Sequence, residues 1–150
     1  MLTSPDFKEI LNIFNDYSVR YLVVGGYAVM KYTQPRFTKD LDLWIAINSE
    51  NAKRTYTALK AFGAPLFELS VANFSAPGFF YQMGRAPYRL DIMMSLPGVD
   101  FESAWENRVE VMIGGIRIPF ISCRDLIQAK KASGRPQDLL DAGNLENTLI

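Results

Sequence analysis

Two aspartates one residue apart constrain this chain more than any other feature. They are Asp40 and Asp42 in the run DLDLWIAI, which follows YLVVGG by some fifteen residues. Leu41 to Ile47 has the apolar, β-branched and aromatic character of a strand, and the period of a strand is two. Asp40, Asp42 and Trp44 therefore share one face, and Leu41, Leu43, Ile45 and Ile47 share the other. Carboxylates held side by side raise each other's pKa and cost free energy unless a cation lies between them. A divalent metal is the natural remedy, because Mg²⁺ prefers carboxylate oxygens and brings substrate phosphates with it.

The residues before this strand are consistent with a phosphate site. Tyr21 to Val24 reads as a short buried strand, Gly25 and Gly26 end it, and Tyr27 to about Lys31 reads as a short helix. Without a side chain in the way, the backbone N–H groups of a Gly-Gly turn at a helix start can point at an anion. A plain tight turn is the simpler alternative for two glycines alone. Pro35 breaks the helix, and Gln34 to Lys39 is a polar connector that carries Arg36, Thr38 and Lys39.

The rest of the chain alternates helices and strands. Ser4-Pro5-Asp6 starts a helix that ends near Tyr17, and Asn48 or Ser49 caps another over Glu50 to Phe62. Between Gly63 and Pro77 the pattern supports only a short helical or irregular segment around Leu66 to Val71, then a loop from Ser75 to Gly78. Phe79 to Met83 and Tyr88 to Met94 read as strands joined by Gly84 to Pro87. Asp91 interrupts the second of these, and an unpaired carboxylate in a buried strand is costly. It needs a cation partner, a strand end or a cleft. Asp100 caps a helix through Trp105, and Gly114-Gly115 joins Val109 to Ile113 with Ile116 to Phe120 as a hairpin. Ser122 caps a helix that stops at Gly134, and Arg135-Pro136 starts a last one with Asp138 and Asp141 on adjacent turns. The expected architecture is one α/β (α+β) domain over residues 1–150, a small mixed sheet flanked by helices.

Composition narrows the chemistry. The chain has no histidine, which removes imidazole bases and the serine and cysteine triads, so acid–base work falls to carboxylates, Lys, Tyr or bound water. One cysteine, Cys123, supports neither an internal disulfide nor a zinc site. A formal net charge of zero excludes a generally basic nucleic-acid coat. The start MLTSPDFKEI lacks the features of a signal peptide. The uncharged run Tyr21 to Met30 is about half of the roughly 20 apolar residues a membrane span needs. A soluble cytoplasmic protein with no membrane partner is expected.

A glycine turn, an Asp-x-Asp strand and a third Asp on a later strand are the parts that nucleotidyl transfer from a nucleoside triphosphate requires: N–H groups for the phosphates, and three carboxylates for two metal ions. In these blocks the chain resembles the nucleotidyltransferase superfamily that includes DNA polymerase beta. VGG at Val24 to Gly26, DLDL at Asp40 to Leu43 and LDIM at Leu90 to Met93 match its pattern. The wording is most similar to the AbiEii-like toxin nucleotidyltransferases and their small stand-alone relatives. Gly25, Gly26, Ala28, Arg36, Thr38, Asp40, Asp42 and Leu43 match their GGxA…RxTxDxDL, and Lys130, Gly134, Arg135 and Asp138 match their K-x-x-x-G-R-x-x-D.

The resemblance implies a site. Asp40, Asp42 and Asp91 would be catalytic and hold two Mg²⁺ ions, or Mn²⁺ in their place. Gly25 and Gly26 would cradle the triphosphate of ATP or another NTP, Lys130 would neutralise phosphate charge from across the cleft, and Arg36 or Lys39 would contact the triphosphate or the acceptor. Arg135 and Asp138 are equally well read as a structural ion pair at a helix start. The toxin relatives imply the 3′ end of tRNA as acceptor and a cognate antitoxin as partner. The alternatives are transfer to a protein or a small molecule, and a catalytically silent toxin–antitoxin binding module.

Overall fold

The computed structural model describes residues 5–35, 38–85 and 88–149. The expected cap Ser4, the candidate phosphate ligand Arg36 and the Ala86-Pro87 connection lie outside the described residues. Six strands form one mixed sheet: β1 (Tyr21–Val24), β2 (Asp40–Ile45), β3 (Phe80–Arg85), β4 (Tyr88–Met93), β5 (Val109–Ile113) and β6 (Ile116–Phe120). Their spatial order is β3-β4-β2-β1-β6-β5. β2 runs parallel to β4 and β1 parallel to β6, and the other neighbours are antiparallel. The helices are α1 (Pro5–Asp16), α2 (Gly25–Tyr32), α3 (Ser49–Phe62), α4 (Phe101–Glu106), α5 (Cys123–Ser133) and α6 (Pro136–Asn147). The expected α/β architecture with a small mixed sheet is the one observed.

Local chemistry explains most of the element ends. The side chains of Asn48, Asp100 and Ser122 accept from the N–H groups of Asn51, Ser103 and Asp125 and so cap α3, α4 and α5. Gly114 and Gly115 both have positive φ, which turns the β5–β6 hairpin in two residues with Ile113 opposite Ile116. Strands β2, β3 and β4 shift from expectation by one or two residues at their ends, and two helical boundaries also differ. Helix α2 begins at the glycine pair itself rather than after it. The helical turn between Gly63 and Pro77 is a 3-10 turn at Val71–Ser75, not around Leu66 to Val71. The side chain of Asn73 accepts from the Ser70 N–H at 2.8 Å and fixes its start, and the fully buried Phe74 anchors it.

One core runs through the sheet and its helices. Leu41 and Leu43 are fully buried and join Ile10, Leu11 and Phe14 of α1 and Ala52 and Leu59 of α3. The buried Asn51 ties α3 to two strand ends: its amide donates to the carbonyls of Arg20 and Ala46 and accepts from the Arg20 N–H. The other side-chain row of β2 is treated unevenly. Trp44 is buried, with its ring 4.9 Å from that of Phe101 on α4, edge to face. Asp40 and Asp42, further toward the start of the strand, are only half-buried and border a cleft. Burial at one end of the row and an opening at the other put the acids at the mouth of the fold. Among the described residues no helix is long and apolar enough to cross a membrane.

Candidate active site

Parallel pairing of β2 with β4 sets Asp42 opposite Asp91 and Asp40 opposite Arg89. Side chains directly opposite on one face of a sheet are neighbours. The site therefore contains two consecutive rungs, one of like charges and one of opposite charges. On the like-charge rung the two carboxyl groups are within hydrogen-bonding reach, and Asp91 is 5% exposed. Burial, then the charge and hydrogen bonding of Asp91, then the charge of Asp40 push the Asp42 carboxyl up to about 7, against the opposing pull of Lys130. In the metal-free protein the Asp42–Asp91 pair therefore holds a proton above the usual carboxylate range. The repulsion expected between Asp40 and Asp42 thus falls chiefly between Asp42 and Asp91, with Asp40 the smaller contributor.

The glycine turn closes on the same rung. Val24 pairs with Asp42 across β1 and β2, so the chain leaves β1 directly above the Asp42 carboxylate. Gly25 has φ of +67°, and a Cβ built there would lie 1.9 Å from Asp42 Oδ2. Only glycine satisfies both the backbone conformation and the space. At the N-cap of α2 stands Val24, which offers no side-chain cap, and Gly25 and Gly26 line the cleft. The start of this helix thus borders the cleft beside the acids, and a helix start is where phosphate binds.

The cleft has a volume of about 680 Å³. Its far wall comes from α5 and α6. Lys130 Nζ lies 3.1 Å from Asp138 Oδ1 and 3.3 Å from Asp141 Oδ2, with the lysine side chain 14% exposed. Asp138 also accepts from Ser133 and from Arg135 Nε, the latter at 2.8 Å. Burial works against the charged form of Asp138. The hydrogen bonds from Ser133, Arg135 and Lys130, together with the lysine charge, outweigh it and hold the carboxyl down at about 2.

The donor set suits a hard cation such as Mg²⁺, since Asp42 and Asp91 present carboxylate oxygens to each other, with Lys130 across the cleft and Arg89 beside Asp91 offsetting part of their charge. As placed, no group of three acidic side chains among the described residues can hold one ion. Asp40 is turned toward Arg89, whose Nη2 lies 2.9 Å from Asp40 Oδ2 while its Nε lies 3.1 Å from Asp91 Oδ1.

The sequence matches the family model described as "Nucleotidyltransferase of unknown function (DUF6036)" over residues 5–148, almost the whole chain. The chain belongs to this nucleotidyltransferase family. No curated protein sequence matches it. Solved structures with the same fold include the lincomycin-bound lincosamide antibiotic adenylyltransferase LnuA, at 19% identity and a TM-score of 0.60, covering 97% of this chain and 98% of that one. The antibiotic-resistance factor ANT(2'')-Ia follows at 16% identity and 0.58, covering 96% and 82%. An antigenic nucleotidyltransferase-like protein from Paracoccidioides brasiliensis aligns at 17% identity and 0.55, covering 96% and 74%.

Within this nucleotidyltransferase, the residues singled out from sequence are placed unevenly. Gly25, Gly26, Asp40, Asp42, Asp91 and Lys130 all border the one cleft. Lys39 is exposed and is not part of its lining, although its backbone carbonyl accepts from the Arg89 N–H. Arg135 and Asp138 form the helix-start ion pair and also border the cleft. Sequence reasoning missed Arg89 and the pairing of Asp141 with Lys130. A signal for Arg89 was present: R-x-D on β4 stands in the same spacing as D-x-D on β2, and parallel register turns the two patterns into rungs.

Proposed function

We propose that the protein transfers a nucleoside monophosphate from a nucleoside triphosphate to an acceptor hydroxyl, with Mg²⁺ or Mn²⁺ as cofactor. The observation that carries this reading is the Asp42–Asp91 rung directly beneath the Gly25 turn, where carboxylates that need a cation meet N–H groups that need an anion. Metal-bound triphosphate satisfies both. Asp42 and Asp91, joined by Asp40 on release from Arg89, would hold the ions. Those ions, when bound, supply charge neutralisation of the phosphates and acidification of the attacking hydroxyl.

The chain's own residues account for the remaining steps. Backbone N–H groups of Gly25 and Gly26 orient the β- and γ-phosphates. The acceptor oxygen bonds to the α-phosphorus as the bond to the β-phosphate bridging oxygen breaks, and pyrophosphate leaves. Asp91 is the proposed acceptor of the hydroxyl proton. Lys130, held by Asp138 and Asp141, faces Asp42 across the cleft and opposes the charge that develops on the leaving group.

On the acceptor side, a small molecule fits better than tRNA. Phe80, Met93, Leu96 and Pro97 give the cleft an apolar wall beyond Asp91, and the chain carries no net positive charge to grip a polyanion. Proteins of similar fold include lincomycin-bound LnuA and ANT(2'')-Ia in complex with adenylyl-2''-tobramycin. Transfer to the 3′ end of tRNA, the toxin-like reading with its antitoxin partner, is tested by the same assay. Protein, Mg²⁺ and each α-labelled NTP are incubated with total RNA, with cell protein, or with a panel of hydroxylated small molecules. The label should move to a small molecule with wild type and not with Asp42→Ala. Label in RNA would establish the toxin-like acceptor instead, and equal labelling by both proteins would sink the proposed chemistry.

A further inference from the structure

We infer that Arg89 is a built-in, displaceable counter-ion of the acidic site, which sets how readily that site takes up divalent metal before nucleotide arrives. The inference rests on the nucleotidyl-transfer reading and goes beyond it in giving the chain its own cation for the same carboxylates. Its basis is geometric. Arg89 precedes Asp91 by two residues on β4 and stands opposite Asp40 on β2, so its guanidinium lies over the gap between the two strands. Nε donates to Asp91 Oδ1 at 3.1 Å, and Nη2 donates to Asp91 Oδ2 at 3.4 Å and to Asp40 Oδ2 at 2.9 Å. Both oxygens of Asp91 and one of Asp40 are thereby engaged by one cation. These are oxygens a metal would use, and their engagement explains why Asp40 does not converge with the other two acids.

Exposure distinguishes this arginine from a fixed structural ion pair. Its side chain is 43% exposed, against 14% for Lys130 on the facing wall. Arg89 can therefore swing into solvent itself, and the metal ion that displaces it takes over the buried Asp91, whereas Lys130 is enclosed by its own carboxylates. Charge balance gives the displacement a purpose. Once metal uptake has released the Asp42 proton, three carboxylates against one guanidinium leave two negative charges, which a single divalent ion neutralises; without Arg89 a third charge would invite a second ion in the absence of triphosphate. The guanidinium thus holds the site near the capacity of one metal, and the triphosphate supplies the charge for another.

Mn²⁺ binding without nucleotide, followed by calorimetry and by the electron paramagnetic resonance signal of free Mn²⁺, tests this in the full chain. Arg89→Gln removes the charge and should bind the first ion on the order of tenfold more tightly than wild type, with a second ion bound before any ATP is added. Arg89→Lys keeps the charge and loses the planar fork, and its affinity should stay within about threefold of wild type. A folded Arg89→Gln that binds Mn²⁺ no more tightly than wild type overturns the inference while leaving the nucleotidyl-transfer reading intact. A wild-type protein that takes up no Mn²⁺ even with a non-hydrolysable ATP analogue overturns both. If Arg89→Gln folds only when Mn²⁺ is present, by circular dichroism, the counter-ion role is supported. If it folds under neither condition, Arg89→Lys decides: a loss of affinity beyond about tenfold assigns Arg89 to ligand positioning and overturns the charge-based role.

Discussion

Two acidic clusters face each other across one cleft, and their electrostatics run in opposite directions. On α6, Asp138 and Asp141 share Lys130, and Asp138 receives further hydrogen bonds from Ser133 and Arg135, so its carboxyl is held down at about 2. On the strands, Asp42 faces Asp91 without a cation between them, and its carboxyl is pushed up to about 7. Asp91 is as buried as Asp138, at 5% exposure each, so burial alone does not separate the clusters. Partners do. A carboxylate pair whose charge is answered within the fold is scaffold, whose job is to hold Lys130. A pair answered only on its Asp91 side, by a half-exposed arginine, beside an open helix start is where an external cation and its phosphate belong.

The contrast is sharpest at Lys130. Lys130→Met strands two carboxylates whose side chains are 7% and 3% exposed, and should cost about 3–5 kcal/mol of stability in urea denaturation. A loss under about 1 kcal/mol would mean that the α6 cluster is not internally balanced. Next comes Gly25→Ala, which should cost about 2–3 kcal/mol, part from the left-handed backbone and part from the clash with Asp42 Oδ2. In an Asp42→Gly background the same substitution should cost only the backbone part, about 1 kcal/mol. Additive costs would separate the glycine from the rung. Asp42→Asn is expected to act in the opposite sense and stabilise the metal-free protein by about 1–2 kcal/mol while abolishing transfer, because it removes a repulsion kept for function. A destabilised Asp42→Asn would show that the rung is structural.

Acid–base titration of stability gives the most diagnostic effect. Asp42 binds its proton more tightly when folded, so the metal-free protein should lose stability as pH rises from about 4 to about 7, and Asp42→Asn should flatten that slope. Asp138 binds its proton less tightly when folded. Its contribution is present above about 4 and should be lost as pH falls toward 2, a limb that Asp138→Asn should remove. Thermal melts in EDTA across this range would show both, and a shared slope for the two clusters would erase the distinction between them.

Most of the fold was legible because its signals are local. Caps at Asn48, Asp100 and Ser122 and the Gly114-Gly115 turn fix element ends through contacts within a few residues. That the Asp-x-Asp strand, the glycine turn and Asp91 share one cleft was foreshadowed for the same reason: a strand's period and a glycine's missing side chain can be read from the chain alone. Arg89 was not, because its role depends on the parallel register of β2 with β4, which no local pattern specifies. Lys130 was read as a phosphate ligand, yet its nearest charges are Asp138 and Asp141, paired only once α6 folds back on α5. The 3-10 turn at Val71–Ser75 was misplaced because Phe74 is held by packing rather than by helical periodicity.

The central claim is that the Asp42–Asp91 rung beneath Gly25 receives metal-bound triphosphate. Calorimetric titration with a non-hydrolysable ATP analogue, in Mg²⁺ and in EDTA, tests it most directly. Wild type should bind the analogue with Mg²⁺ and lose that binding in EDTA, and Asp42→Asn, still folded, should bind it on the order of 100-fold more weakly in Mg²⁺. Equal affinity of wild type and Asp42→Asn, or binding that ignores EDTA, would contradict the claim.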